Sequence, residues 1–438
     1  MNNIYVIDPS KKIPVEGSYD VVVCGGGPSG IFAATAASRN GARTLLLEKM
    51  GFLGGMATAG LVGPISKFNF FGKRIVGGIP LEFVNRLEEV NGAITDFESG
   101  NIPFDSELYK LISQRMVSES GVDILFHALV VGCLMQDKET VSHVFVETKS
   151  GKIAINTKCV IDCTGTGDFI QHTSLPWTMR NKEKELQPLS LIFKLSGVDT
   201  DNINLLMDKD NDPYYNIQLH QALAKEKENG IINNFGGPWA LWGSSIRKGE
   251  ISVNVSRISA DATNYRDISF AEQRLREEIH KIVSIFKKSN SSFKNCYISS
   301  SASHIGIRET RCIEGLYTLT IDDILNPKPF YDTVALGGHP VDIHSSENEK
   351  QRCSFLKMPY NIPFRCLVPK GSGNVLIAGG TISATREAFA SLRVQAQCMA
   401  IGQAAGTAAA VISKEGIPAH SFDGLRLHQM LKEQGAIV

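Results

Sequence analysis

The stretch that decides the fold is Tyr19-Asp20-Val21-Val22-Val23-Cys24, followed by Gly25-Gly26-Gly27-Pro28-Ser29-Gly30 and then by the alanine-rich run Ile31 to Asn40. The apolar run reads as a strand, the glycines as a tight turn, and the alanines as a helix that Gly41 ends. Ala42 to Leu47 is a second apolar run, closed by Glu48-Lys49. Neither run alternates with polar residues, as expected of parallel strands covered on both faces. Strand, helix and strand in this order make a βαβ unit. Within it, Gly25-x-Gly27-x-x-Gly30 sits between strand and helix, and an acid stands at the end of the second strand. In that context the glycines are a dinucleotide fingerprint. They let the backbone approach a pyrophosphate, the helix N-terminus offers N–H donors, and Glu48 can accept hydrogen bonds from a ribose diol.

Outward from this unit, Phe83, Val84, Leu87 and Val90 share one helical face. Leu108, Leu111, Ile112 and Met116 share another, behind an N-cap at Asp105. Residues 122–126 and 129–135 read as strands, and 141–148 with 152–157 as a hairpin around Ser150-Gly151. Cys159-Val160-Ile161-Asp162-Cys163 then ends in Thr164-Gly165-Thr166-Gly167-Asp168. From about Gln187 the pattern changes to alternating runs (189–195, 251–257, 298–303) and one strong helix. That helix is expected to start at the capping box Ser269-x-x-Glu272 and to present Leu275, Ile279, Ile282, Val283 and Phe286. The chain returns at Asn374-Val375-Leu376-Ile377-Ala378-Gly379-Gly380 and closes with a small-residue helix. The expected fold class is α/β: a Rossmann-like domain over 1–186 and 365–438, with a largely β substrate domain, 187–364, inserted into it.

Composition excludes several classes. The 438 residues carry 45 Lys plus Arg against 45 Asp plus Glu, so no basic surplus exists to bind nucleic acid by counterion release. The 40 glycines are about 9% of the chain against a usual ~7%, and they cluster at turns between apolar runs. Nine cysteines without a C-x-x-C or Cys/His pattern suggest reduced thiols in a cytoplasmic protein and no metal. Met1 to Asp20 holds no apolar run of signal-peptide type. Val394 to Ser413 is 20 uncharged residues containing Gly402-x-x-x-Gly406, long enough for a membrane span. Its Gln395, Gln397, Gln403, Thr407 and many alanines favour a buried helix packed through small residues.

The double glycine Gly54-Gly55 with Met56-Ala57-Thr58, and the strand ending in Thr164-Gly165, resemble the FAD-dependent oxidoreductases of the two-dinucleotide-binding-motif type. This is the broad glutathione-reductase-like and succinate dehydrogenase/fumarate reductase-like group. Ile305-Gly-Ile-Arg-Glu-Thr-Arg311, Pro359-Tyr-Asn-Ile-Pro-Phe-Arg365, Ala378-Gly-Gly-Thr-Ile-Ser383 and Ser391-Leu-Arg-Val394 extend the likeness from about Tyr19 to Gly406. The resemblance implies an FAD site. Its first half would use Gly25, Gly27, Pro28, Ser29, Gly30, Glu48 and Lys49, with Gly54, Gly55, Met56 and Ala57 beside them. Val130, Thr164, Gly165 and Asp168 would border the same end. Gly380, Ser391, Arg393 and Val394 would meet the isoalloxazine end, where helix N-terminal amides stabilise the charge of reduced flavin. Gly379-Gly380-Thr381 lacks the acid that many aromatic hydroxylases carry at this strand end. No histidine lies in Gly54 to Gly60, so noncovalent FAD is expected.

Residues for substrate chemistry come from the second half. His304 and Arg308 are four apart, so in an extended segment both would point one way. A proton-transfer group and a carboxylate clamp would then sit together. The alternative for Arg308, Glu309 and Arg311 is an interdomain ion-pair cluster. His339 and His344 flank Asp342; Arg386-Glu387 either faces the cofactor or caps the last helix; Trp239 and Trp242 either line a pocket or pack. The reading is an FAD-dependent oxidoreductase moving hydride between flavin and a small polar organic substrate. The electron acceptor or donor is open, no membrane span is expected, and a homo-oligomer is possible on this reading. The rivals are a flavin monooxygenase using NAD(P)H and oxygen, and a non-catalytic electron-transfer or sensor flavoprotein.

Overall fold

The computed structural model describes residues 12–95, 100–180, 186–201, 216–241, 245–345 and 351–438. Strand β1 (Val15–Cys24) leads through helix α1 (Pro28–Arg39) to β2 (Thr44–Glu48), as the sequence implies. Then follow β3 (Asp123–Phe126), β4 (Leu129–Met135), β5 (Val141–Thr148) and the long β6 (Gly151–Asp162). Strand β11 (Val375–Ile377) is the last member, numbered after the four strands described below. One sheet runs in the order β3-β2-β1-β6-β5-β4, and β11 also pairs with β6. Its centre is parallel: β1 pairs with β2 and β6, β2 with β3, and β11 with β6.

Strand β6 changes partner along its length. Residues 151–156 pair antiparallel with β5, and residues 160–162 pair parallel with β11. Asn374 sits at the changeover. Its Nδ2 donates to Val141 O (2.7 Å) and Lys158 O (2.9 Å), and its Oδ1 accepts from Val141 N–H (2.8 Å). The continuous apolar runs are explained by two cores, one on each face of the sheet. Val21, Val23, Leu46, Cys159, Ile161 and Leu376 enter the helix-side core. Their neighbours Val22, Cys24, Leu45, Leu47, Val160 and Ile377 enter the core under the β-meander. The two-residue period of a strand makes that division.

A second sheet is antiparallel, with four strands: β7 (Phe193–Ser196), β8 (Phe235–Leu241), β9 (Ile251–Ser256) and β10 (Tyr297–Ser301), in the order β8-β9-β7-β10. Helix α2 (Tyr265–Ser289) covers it with Leu275, Ile279, Ile282, Val283 and Phe286. This helix starts four residues before the expected capping box. Asn264 is the cap, accepting from Arg266 N–H (2.9 Å), and Glu272 instead accepts from Ile305 N–H (2.7 Å). The core of this unit draws on residues 189–305 and on Leu61. Leu319, Val334, Tyr360 and Phe364, placed by the sequence in the inserted domain, pack into the helix-side core of the first sheet.

The small-residue segment is a buried helix, α3 (Gln395–Glu415), lying against α1. A Cβ on Gly402 would come within 2.2 Å of Ser29 O, and one on Gly406 within 2.0 Å of Ala33 O. The two backbones therefore touch, and because 402 and 406 face 29 and 33 in order, the helices run parallel. Among the described residues no helix is long and apolar enough to cross a membrane. Gly406→Leu should destabilise the protein by about 2–3 kcal/mol, because overpacking here meets backbone that cannot yield. Urea unfolding checks this; wild-type stability would show that the helices are not in contact.

Candidate functional site

The C-terminal ends of β1, β2, β6 and β11 meet along one edge of the sheet, and a cavity of about 320 Å³ opens there. It is lined by Gly25, Gly27, Pro28 and Ser29 at the α1 end and by Glu48, Lys49 and Val130 near the end of β2. Thr164, Gly165, Asp168 and Gly380 line the middle, and Arg308, Arg393 and Gln395 the far end. This is the crevice outside the carboxyl ends of the strands where α/β sheets bind ligands.

Local bonds explain how these loops hold their shape. Glu48 is 7% exposed and accepts from Gly26 N–H (2.7 Å) and Met50 N–H (2.8 Å), one on each carboxylate oxygen. Burial raises its pKa despite those donors. Each oxygen retains a further lone pair for a diol. The double glycine nests on the fingerprint: Gly54 N–H donates to Gly26 O (2.9 Å), and a Cβ on Gly55 would come within 2.8 Å of Gly27 Cα. Asp162, which the sequence reading passed over, organises the next loop. Its Oδ1 accepts from Thr164 N–H (2.9 Å) and Thr164 Oγ1–H (2.7 Å), and its Oδ2 from Ile170 N–H (3.0 Å). Arg311 braces the same loop through Thr166 O (3.0 Å).

Helix termini supply the main electrostatic feature. Helices starting at 106, 217, 265, 386 and 424 all have side-chain caps. The helix Gly78–Glu89 borrows one, with Ile79 N–H donating to Gln403 Oε1 (2.9 Å). Helices α1 and α3 have no side-chain cap, and both begin at the cavity. Their first N–H groups and positive dipole ends are thus left for a ligand. Register places the α3 terminus about 9 Å beyond that of α1, at 1.5 Å per residue. Gln395 Oε1 and both amide atoms of Gln397, in the first turn of α3, are buried without a hydrogen-bond partner. The Gly27 cradle is open as well, since a Cβ there would meet only Gly55 Cα, at 3.8 Å. Bare backbone, uncapped N-termini and orphaned amides fit an extended dinucleotide.

Several expected residues take other places. Gly30, Gly54 and Ala57 shape the loops without lining the cavity. Ser391 lies in the helix Arg386–Leu392, and its hydroxyl bonds Tyr360 Oη (2.9 Å) and His339 O. The helix breaks at Arg393, so Val394 is the N-cap of α3 and the presented residues are Arg393 and Gln395. His304 and Arg308 both line the cavity but do not share a partner. Strand β10 ends at Ser301, so strand alternation does not extend over 304–308. His304 Nε2 meets Lys49 Nζ (3.3 Å) and its Nδ1 donates to Ile305 O (2.8 Å). Burial, then the charge of Lys49, holds its pKa below the usual histidine value. Arg308 instead donates from Nη1 to Pro188 O and to Ser190 Oγ (2.8 Å). Glu309 pairs with Arg386 (3.1 Å) and accepts from Gln187 N–H (2.7 Å), so Arg386 faces Glu309. Trp242 lies outside the described residues, and Trp239 falls in β8. The Ala59, Ile307, Phe389 and Cys398 lining, apolar and scattered in sequence, carried no sequence signal.

A strand-edge crevice between two open helix N-termini defines the dinucleotide-binding class of oxidoreductase folds. The chain belongs to the FAD dependent oxidoreductase family, whose profile matches residues 20–431. Membership of that family makes it an enzyme with FAD as its cofactor. It is 31% identical over 163 residues to the digeranylgeranylglycerophospholipid reductase of Methanococcus vannielii, covering 36% of this chain and 40% of that protein. It is 28% identical over 176 residues to the thiamine thiazole synthase of Methanococcus maripaludis, covering 38% of this chain and 62% of that protein. The chain thus spans less than two thirds of either relative. In structure it is similar to a geranylgeranyl bacteriochlorophyll reductase-like protein from Thermoplasma acidophilum (13% identity, TM-score 0.45, 96% of this chain and 84% of that one). It is also similar to the anhydrotetracycline hydroxylase of Streptomyces rimosus (13%, TM-score 0.46, 94% and 65%).

The Glu309 ion pair gives a pH prediction. Burial raises the pKa of Glu309, but Arg386 and Gln187 outweigh it and hold the value below that of a free glutamate. A depressed folded-state pKa contributes stability above about pH 4.3, the unfolded value, which is lost as pH falls through the folded one. The wild type should therefore be more stable than Glu309→Gln near neutral pH, and the gap should narrow below about pH 4.3. Thermal unfolding of both across that range checks it; a constant gap would mean that Glu309 is not ionised in the folded protein.

Proposed function

We propose that the enzyme moves hydride between FAD and a small polar organic substrate at the Arg308–Arg393–Gln395 end of the cavity. One observation carries this reading: a single cavity joins the fingerprint loop to that charged end, between two uncapped helix N-termini. FAD supplies the hydride-accepting or hydride-donating centre. The Ser29 amide at the open end of α1 would hold the pyrophosphate, Glu48 the ribose diol, and the first amides of α3 the pyrimidine edge of the flavin. No histidine stands at 54–60, which supports noncovalent attachment. Lys49 and His304 adjoin Glu48, so they belong to the adenosine half of the site. His304 there holds Lys49 in place and is not a general base, because its Nε2 lone pair already faces the ammonium group.

The protein should purify yellow, release its flavin on acid precipitation, and lose FAD in Gly27→Val, whose side chain occupies the pyrophosphate approach. His304→Gln should weaken FAD retention while leaving the pH profile of flavin reduction unchanged. The reaction class is tested by anaerobic mixing of the holoenzyme with panels of small polar compounds. Bleaching of the visible flavin bands without oxygen supports the proposal. Oxygen uptake dependent on NAD(P)H, with no anaerobic bleaching by any organic substrate, would overturn it in favour of a monooxygenase.

A further inference from the structure

Arg180 is 8% exposed and follows the short strand Trp177–Met179, which pairs antiparallel with Arg311–Ile313. Its backbone N–H donates to Thr310 O (2.9 Å), which fixes the residue in place. The side chain crosses to the turn that leads from β11 into the helix Arg386–Leu392. There Nη1 donates to Ala384 O (2.5 Å), and Nη2 to Gly380 O (3.1 Å) and Ile382 O (3.0 Å). The carbonyls between them have other donors: Thr381 O accepts from Ile313 N–H (3.0 Å) and Ser383 O from Leu319 N–H (3.1 Å). The turn is thus held from two sides, by backbone amides and by one guanidinium. The last donor of that guanidinium, Nε, is buried without a hydrogen-bond partner.

These bonds solvate the guanidinium without neutralising it. Carbonyl dipoles stabilise a cation, but only an anion cancels its charge. Arg180 makes no ion pair among the described residues. Glu309, a carboxylate whose charge reaches it, lies beyond ion-pair distance and is itself bonded to Arg386 and Gln187. Burial lowers the pKa of Arg180 from the usual arginine value, and the charge of Arg393 acts in the same sense. An arginine side chain nevertheless keeps its proton inside a protein, so Arg180 is a buried cation.

Its neighbours place that charge against the cavity. Gly380 and Phe389 both line the cavity. Arg180 Cζ lies 3.7 Å from the centre of the Phe389 ring, and its Nη2 bonds the Gly380 carbonyl. The cation therefore stands one aromatic ring and one peptide unit behind the wall. Phe389 is itself 2% exposed, so little water enters between them. A whole charge in such surroundings is only weakly screened, and its field reaches into the cavity.

We propose that Arg180 raises the reduction potential of the bound flavin, as a fixed positive charge behind Gly380 and Phe389. Reduction adds negative charge to the flavin, so the cation stabilises the reduced form more than the oxidised one. Arg180 touches neither cofactor nor substrate. It is a positioning residue for the turn and an electrostatic one for the flavin. The assignment rests on the flavin-cavity reading above and adds to it a residue that biases electron transfer.

The potential of the holoenzyme is measured without oxygen, by equilibration with reference dyes. Arg180→Met keeps an apolar contact with Phe389 but removes the charge. It should bind reduced FAD about tenfold less tightly, relative to oxidised FAD, than the wild type does. That ratio is a fall of about 30 mV for a two-electron couple. Arg180→Lys keeps the charge without the fork, so it should lose thermal stability yet hold a potential closer to the wild type than to Arg180→Met. Arg180→Gln, whose amide can still donate to one carbonyl, replaces Arg180→Met if that variant fails to fold. An unchanged potential in the neutral variant, or an equal fall in Arg180→Lys, would overturn the proposal. So would a neutral variant that loses oxidised and reduced FAD alike, because Arg180 would then hold the turn and nothing more. A wild type that takes up no FAD overturns the cavity reading itself; a yellow protein whose potential ignores residue 180 overturns this inference alone.

Discussion

The structure depends on the backbone contact between α1 and α3. Gly402 over Ser29 and Gly406 over Ala33 leave no room for a side chain, so the helices lie closer than ordinary packing permits. Because they run parallel, both N-termini emerge at the same edge of the sheet. The contact also sets their stagger at about six residues, or roughly 9 Å at 1.5 Å per residue. Two positive dipole ends are thereby fixed at a separation suited to a long, doubly charged ligand with a polar ring at one end. The apolar sheet beneath, buried on both faces, keeps the strand ends from moving relative to the helices.

Around that frame, charge is handled in two ways. Arg386 and Glu309 are paired, and Arg365 is paired with the buried Asp332 (2.9 Å). Such closed pairs hold elements together. Arg308 and Arg393 differ, in that both open on the cavity. Buried polar groups left incomplete in a cleft mark function more often than architecture. The same contrast separates the capped helices from α1 and α3.

Much of the first domain was legible in the sequence, because its determinants are local. The glycine fingerprint, the unbroken apolar strands, the Asp105 cap and the small-residue helix each follow from a short window. What escaped depends on long-range partners. Nothing near Asp162 signals that its carboxylate will collect the amides of 164 and 170. Nothing in Ser269-x-x-Glu272 reveals that Asn264 caps first and that Glu272 is needed at Ile305. The spacing of His304 and Arg308 misleads because alternation holds only within a strand, and β10 has ended. Residues 319–364 show short strands either way; only packing decides that they join the first core.

The central claim is that the two uncapped helices share one cofactor along the strand edge. A crystal structure of the FAD-loaded protein tests it most directly. Phosphate oxygens should lie within hydrogen-bond distance of the Ser29 amide, a ribose hydroxyl on Glu48, and the flavin pyrimidine edge at the first amides of α3. Phosphates bound elsewhere, or a flavin ring at the Glu48 end with the α3 terminus facing only solvent, would contradict it.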